Sequence, residues 1–142
     1  MSIARIIASN AHDIVSCSPQ DSVQTAAGLL AENRIGALPV LEGGRIAGIF
    51  SERDLLYCVA REGAAVLNRT VSEVMTAPAI TIEASADALK ALSLMTRRRI
   101  RHLPVVDGEA LVGFVSIGDL VKFRIEMIEA EAEQMREYIT MA

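Results

Sequence analysis

Aromatic residues make up only 4% of this 142-residue chain, and tryptophan is absent. Stacking platforms for single-stranded nucleic acid are therefore scarce. The two cysteines, Cys17 and Cys58, lie far apart with no C-x-x-C spacing, which excludes a disulfide framework and a cysteine-based metal site. Each falls in an apolar stretch and reads as a buried, reduced thiol. With only two histidines there are few candidates for acid–base chemistry. Ser51 and Ser116 have no neighbouring general base in sequence, and no Walker or dinucleotide fingerprint is present. The expectation is no enzyme, with no catalytic residue and no metal ligand assigned. No apolar run approaches the roughly 20 residues that span a bilayer. The opening "MSIARIIASNAHD" lacks the apolar core and cleavage pattern of a secretory signal. A net charge of −4 gives no general attraction to nucleic acid or anionic membrane. A cytoplasmic protein is expected.

What the chain does have is a packed-protein composition, 51% hydrophobic and 23% charged, with room for one compact domain or two halves sharing a core. It also repeats itself. "RIAGIFSERDLL" and "ALVGFVSIGDLV" place Gly48, Ser51 and Asp54 against Gly113, Ser116 and Asp119, each displaced by 65 positions. At the same offset Val15 matches Ile80, Cys17 matches Ile82, Ile35 matches Ile100, and Leu38-Pro39-Val40 matches Leu103-Pro104-Val105. An insertion of a few residues near positions 9–13 is the one obvious break. Two copies of a unit this long suggest supersecondary units stacked face to face, each covering an apolar surface of the other.

Each unit reads as β-α-β-β-α. In the first, residues 14–17 form a short strand, and Ser22 caps a helix over 23–33 with apolar spacing at Val23, Ala26, Ala27 and Leu30. Gly36 is taken to break that helix. Strands 37–41 and 45–50 join across Glu42-Gly43-Gly44, and a second helix runs from about 54 to 61 and stops at Gly63. The second unit repeats the order with a strand at 79–82, a helix from the Asp87 cap to about 98, strand 102–106, the turn Asp107-Gly108 and strand 111–115. Its last helix starts near 119 and continues without Gly or Pro to about 139. Along that extension Val121, Ile125, Ile128, Ala132, Met135 and Ile139 are spaced 4-3-4-3-4, as in a heptad seam. The spacing fits docking on its own domain or pairing with a second copy. The division expected is 1–66 for the first repeat, 67–125 for the second and 126–142 for a helical extension.

The repeated G-h-h-S-x-x-D sits where a strand passes into a helix, and it admits two readings. In one, the Gly permits close backbone approach, the Ser caps the helix, and the Asp in the first turn meets the positive end of the macrodipole. In the other, the Asp accepts from the vicinal hydroxyls of a ribose while N–H groups at the helix start hold a phosphate. Residue chemistry alone reaches a nucleotide site as one of these two.

The chain resembles a tandem pair of cystathionine-β-synthase (CBS) domains, a Bateman module, through "IGALPVLEGGRIAGIFSERDLL" and "IRHLPVVDGEALVGFVSIGDLV", each preceded by a strand and a capped helix. The likeness spans about residues 2–125, and both copies carry the family's G-h-x-[ST]-x-x-D pattern intact. It implies an α+β fold of two β-α-β-β-α repeats packed with pseudo-twofold symmetry and two clefts between them, followed here by a long C-terminal helix. It implies an adenine-containing ligand: AMP, ADP, ATP, NAD or S-adenosylmethionine. Asp54 and Asp119 would take ribose hydroxyls, with Ser51 and Ser116 near the sugar or phosphate. Groups around Val15, Cys17, Ile80, Thr81, Ile82, Ala37 and Arg101 would hold the base.

"TRRRIRHLP" puts four arginines and a histidine into positions 97–102. Arg97 and Arg98 complement a helix C-terminus. Arg101 and His102 lie beyond the helix, where the resembled family often places phosphate-facing residues, whereas the first copy has Gly36 and Ala37 there. The clefts are therefore expected to be inequivalent, with Asp119 contributing more to binding than Asp54. Arg53, whose counterpart is Gly118, is either another phosphate partner or a surface arginine. The resulting expectation is a regulatory adenine-nucleotide sensor that dimerises and signals to a partner protein. The alternatives are a ligand-free interaction module and a nucleic-acid binder drawn to the arginine cluster.

Overall fold

The computed structural model describes residues 2–9 and 13–141. His12, read above as part of the N-terminal segment, and most of the insertion near 9–13 lie outside the described residues. In chain order the elements are α1 (Ile3–Ser9), α2 (Val23–Asn33), β1 (Ala37–Glu42), β2 (Arg45–Ser51), α3 (Glu52–Glu62), a 3-10 segment (Gly63–Asn68), α4 (Val71–Val74), β3 (Ile82–Glu83), α5 (Ala88–Arg98), β4 (His102–Asp107), β5 (Ala110–Ser116) and α6 (Ile117–Met141). This mixed α+β architecture of two similar units and a long final helix is the one the repeat predicts.

The repeat is visible in the hydrogen-bond register. Leu38 faces Phe50 in the first hairpin and Leu103 faces Val115 in the second, with a bulge after Val40 and after Val105. The first hairpin turns through Gly43 and Gly44 at φ +59° and +80°, a pair of left-handed positions that favour glycine in a two-residue loop. Ser22 accepts the Thr25 N–H at 3.1 Å and Asp87 accepts the Leu89 N–H at 3.0 Å, so both long first helices begin at the expected caps.

Several boundaries differ from the sequence reading. The strand expected at 14–17 contracts to a parallel bridge between Cys17 and Val40, because residues 13–15 line a cavity instead of pairing. Its counterpart at 79–82 becomes β3, which pairs with Val105 and Val106. α2 ends before Gly36: Arg34 itself takes the left-handed conformation (φ 52°, ψ 47°) and turns its N–H back to Ala31 and Leu30. Arg99 closes α5 in the same way. α3 and α6 each begin at the residue after the repeated serine, so Ser51 and Ser116 precede the first turn and Asp54 and Asp119 sit within it.

Core membership crosses sequence order. Ile3 and Ile6 of α1 are fully buried among Leu103, Val105, Met95 and Leu120 of the second unit, while Val71 of α4 is buried among Leu38, Val40 and Phe50 of the first. The backbone explains this. Ile3 N–H donates to the Ala86 carbonyl and Ala4 N–H to Ala84, at 2.8 and 2.9 Å; Val71 N–H donates to Asp21 and Ser72 N–H to Pro19, at 2.8 and 3.0 Å. The acceptors are equivalent positions of the two repeats. Each short helix thus straps the unit that follows or precedes it, burying two apolar residues worth about 1.5–3 kcal/mol apiece or one such residue plus its neighbours.

The strap also accounts for the repeated glycine. A Cβ on Gly113 would meet the Ile7 side chain at 2.7 Å, and one on Gly48 would meet the Met75 sulfur and the Thr76 carbonyl oxygen, both at 2.8 Å. Side-chain ends can move, whereas the Thr76 carbonyl is fixed by the Ile49 N–H at 2.9 Å. Gly48→Ala is therefore expected to destabilise by about 1–3 kcal/mol. Gly113→Ala is expected to cost less, because the atoms it meets, Ile7 Cδ1, Cγ1 and Cγ2 at 2.7, 2.9 and 3.1 Å, belong to a side chain that can shift with α1 rather than to a hydrogen-bonded carbonyl. Urea denaturation measures both, and equal losses would contradict the assignment.

Candidate functional site: a cleft between the repeats

A cavity of about 970 Å³ opens between the two units. One wall is the end of β5 and the start of α6, with Gly113, Phe114, Ser116 and Asp119. The facing wall comes from the first unit: Asp13, Ile14 and Val15 before the Cys17 bridge, and Asn33 to Ala37 after α2. Ile6, Ile7 and Ala8 of the strap helix form one end, and His102 lies beside Gly36. The volume falls in the usual range for small-molecule sites, roughly 300–1,000 Å³.

Five of the sequence-predicted residues come together here: Ser116, Asp119, His102, Ala37 and Val15. The others do not line this cavity. Cys17 and Ile82 are buried in the two cores, and the Cys17 backbone is committed to the Pro39 carbonyl and the Leu41 N–H. Ile80 packs against the second core. Thr81 is half-buried just before β3, and Arg53 and Arg101 are exposed. Ser51 and Asp54 occupy the equivalent strand–helix junction of the first unit. The arginine that borders the cavity is Arg34, set there by its left-handed cap position. Nothing local in the sequence marks it, although Arg34 is the counterpart of Arg99 at the repeat offset. Asp13 and Phe114 were missed for want of any local motif.

The two serine–aspartate junctions differ in chemistry. At the first, Asp54 Oδ2 accepts the Ser51 N–H and hydroxyl, each at 3.0 Å, and Ser51 Oγ accepts the Asp54 N–H at 3.1 Å, a complete capping box. The second oxygen, Oδ1, accepts the Thr76 hydroxyl at 3.0 Å. Both oxygens are thereby engaged inside the chain. At the second junction Asp119 Oδ2 accepts the Ser116 N–H at 2.8 Å and Ser116 Oγ accepts the Asp119 N–H at 3.1 Å. The position matching Thr76, counted along the straps, is Ala8, which has no hydroxyl to offer. Asp119 Oδ1 has no hydrogen-bond donor among the described residues, and Asp119 is a lining residue.

His102 stacks on Phe114 with centroids 5.7 Å apart and planes 29° from parallel. Burial lowers its pKa, against the opposing pull of Asp119 and Glu52 and with the help of Arg101. The ring is therefore neutral at pH 7, a flat donor–acceptor surface. Burial, seconded by Asp21, pushes the Cys17 thiol up to about 11, which keeps it protonated. Among the described residues no cluster of His, Cys, Asp and Glu is placed to hold a metal ion, and no helix is long and apolar enough to cross a membrane.

The comparisons with known proteins agree with this architecture. The CBS domain family matches the chain twice, over residues 6–61 and 71–126. The chain belongs to the CBS domain family, as a tandem pair. A mitochondrial CBS domain-containing protein of Arabidopsis thaliana is 34% identical over 128 residues, covering 87% of this chain; the chain spans 62% of that relative's length. A CBS-domain protein from Agrobacterium tumefaciens superposes with a TM-score of 0.83 at 37% identity, covering 87% of this chain and 99% of that one. A CBS domain protein from Pyrobaculum aerophilum complexed with AMP superposes at 0.79 and 26% identity, covering 93% and 99%.

The lowered His102 pKa has a consequence for stability. Above the ordinary histidine value, about 6.5, the ring is neutral folded or unfolded. As pH falls below it, the unfolded chain binds a proton that the folded chain refuses, so stability drops until the lower folded value is reached. The melting temperature is expected to fall more steeply from pH 7 to pH 5 in the parent than in His102→Gln. Thermal scans across that range test it, and parallel slopes would contradict the burial of a neutral ring.

Proposed function

We propose that this chain is a regulatory module that binds one adenine-containing nucleotide in the Asp119 cleft and reports it through a dimer to a partner protein. The observation that carries the reading is the Asp119 carboxylate on the cavity wall: one oxygen caps α6 and the other has no donor among the described residues. A ribose supplies vicinal hydroxyls that suit such an oxygen. Val15 and Ala37 give the base an apolar bed, and His102 and Ser116 add polar contacts at its edge. Arg34 at the mouth supplies a cation for a phosphate, a role the sequence had offered to Arg101 and Arg53. The relative from Pyrobaculum aerophilum that carries AMP supports a mononucleotide; ADP, ATP, NAD and S-adenosylmethionine are the other candidates. Ile80, Thr81, Ile82 and Cys17 contribute through the frame that holds the cleft apart. The role is binding and signalling, with no reaction assigned to any residue.

Asp54 supports a second reading for the first junction only. With both its oxygens satisfied by Ser51 and Thr76, that copy acts as helix cap and brace, the interaction-module role that the sequence admitted for the whole chain. Nucleic acid finds less support, since Arg101 stands apart from the cavity and aromatic residues are few.

Thermal unfolding with AMP, ADP, ATP, NAD and S-adenosylmethionine tests the proposal. A ligand at 100 times its dissociation constant stabilises by about 2.7 kcal/mol, several degrees for a chain of this size. Asp119→Ala is expected to abolish the shift. Asp54→Ala is expected to lower the starting melting temperature through loss of the capping box, about 0.5–2 kcal/mol, while leaving the ligand shift in place. No shift with any of the five compounds would leave the interaction-module reading standing in its place.

A further inference from the structure

Helix α6 runs well past the second core. Its inward row is Leu120, Phe123 and Met127, of which Leu120 is buried and Phe123 packs on that core. Its apolar row of Val121, Ile125, Ile128, Met135 and Ile139 is 45, 50, 49, 62 and 67% exposed. At about 100° per residue the two rows lie roughly 135° apart around the axis, so the apolar row faces away from the domain that carries it.

Set out as heptads, Ile125, Ala132 and Ile139 fall at a, and Val121, Ile128 and Met135 at d. The flanking positions are Lys122, Glu129 and Arg136 at e, and Arg124, Glu131 and Tyr138 at g. In a parallel, in-register pair each g residue meets the partner's e residue five positions on. That brings Arg124 to the partner's Glu129 and Glu131 to the partner's Arg136, opposite charges in both cases. An antiparallel pair overlapping the whole row sets e against e and g against g. It opposes Glu129 to the partner's Glu129, Glu131 to the partner's Glu131, and Lys122 to the partner's Arg136, like charges throughout. Arg136 meets Glu133 of its own helix at 3.3 Å in an exposed contact, which leaves its guanidinium able to bridge outward.

We infer that α6 pairs in parallel and in register with α6 of a second copy of this chain, its orientation chosen by the Arg124–Glu129 and Glu131–Arg136 pairs. The inference rests on the dimer named under the proposed function and fixes how that dimer is arranged. It places both copies' Asp119 clefts at the same end of the paired helices, about half a turn from the first seam residue.

Sedimentation equilibrium with disulfide trapping of Ile139→Cys tests it, since the two natural cysteines are buried. A dimer whose introduced thiols cross-link on mild oxidation is expected; in the antiparallel pair they would lie roughly 27 Å apart. Glu131→Arg is expected to weaken dimerisation by about tenfold, and adding Arg136→Glu to restore it. A monomer at 100-micromolar concentration, on the order of ordinary assay conditions, would remove the dimer and the inference together. A dimer that neither cross-links nor responds to the charge changes would keep the dimer and overturn its parallel arrangement.

Discussion

The hydrogen bonds from Ile3 to Ala86 and from Val71 to Asp21, both 2.8 Å long, set the frame on which the rest of the structure depends. Each ties a short apolar helix across the end of a unit that does not cover its own hairpin. Because the two straps arrive at equivalent carbonyls, the hairpins, the caps and the bulges after Val40 and Val105 repeat in space as they do in sequence. The glycines at 48 and 113 follow from the same constraint, since any side chain there would collide with the strap. Fully buried Ile3, Ile6 and Val71 give the straps their hold. The strap of the second unit then does double duty: Ile7 and Ala8, on its outer side, become one end of the cleft.

Once the frame is symmetrical, function comes from where the copies diverge. The key difference is one hydroxyl. Thr76 satisfies Asp54, and the matching Ala8 leaves the Asp119 oxygen for another donor. The same carboxylate motif is thereby a finished internal brace in one unit, and in the other it keeps one oxygen with no donor among the described residues. A second difference is Ala37 against His102, which line one cavity together: one is small, and the other is a neutral ring stacked on Phe114. Arg34 and Arg99 share a backbone conformation, but only Arg34 borders that cavity.

Much of this was legible in the sequence because it is written as pattern. The period of 65 gave the two units, Ser22 and Asp87 gave the helix starts, and Gly43-Gly44 gave the turn, each a local signal with a local cause. The run from Asp119 onward, free of Gly and Pro, foretold the length of α6. What stayed hidden was the strap exchange, because α1 is short and its amphipathic pattern has meaning only against a partner far along the chain. Arg34 ending α2 was also hidden, since a left-handed arginine carries no residue-type signal of the kind glycine or asparagine gives. The resemblance puts Arg101 beside the phosphate; in the structure it is exposed and is not among the residues that line the cavity. The cleft instead joins residues of both units, and the arginine that lines it together with Asp119 is Arg34.

The central claim is that one junction binds and the other braces. Titration calorimetry of the parent chain with AMP tests that most directly, because stoichiometry separates the two junctions without altering either. The account predicts one AMP per chain. Two per chain would show that the Thr76 hydroxyl yields to a ligand and that Asp54 is a binding group like Asp119, contradicting the division of roles drawn here.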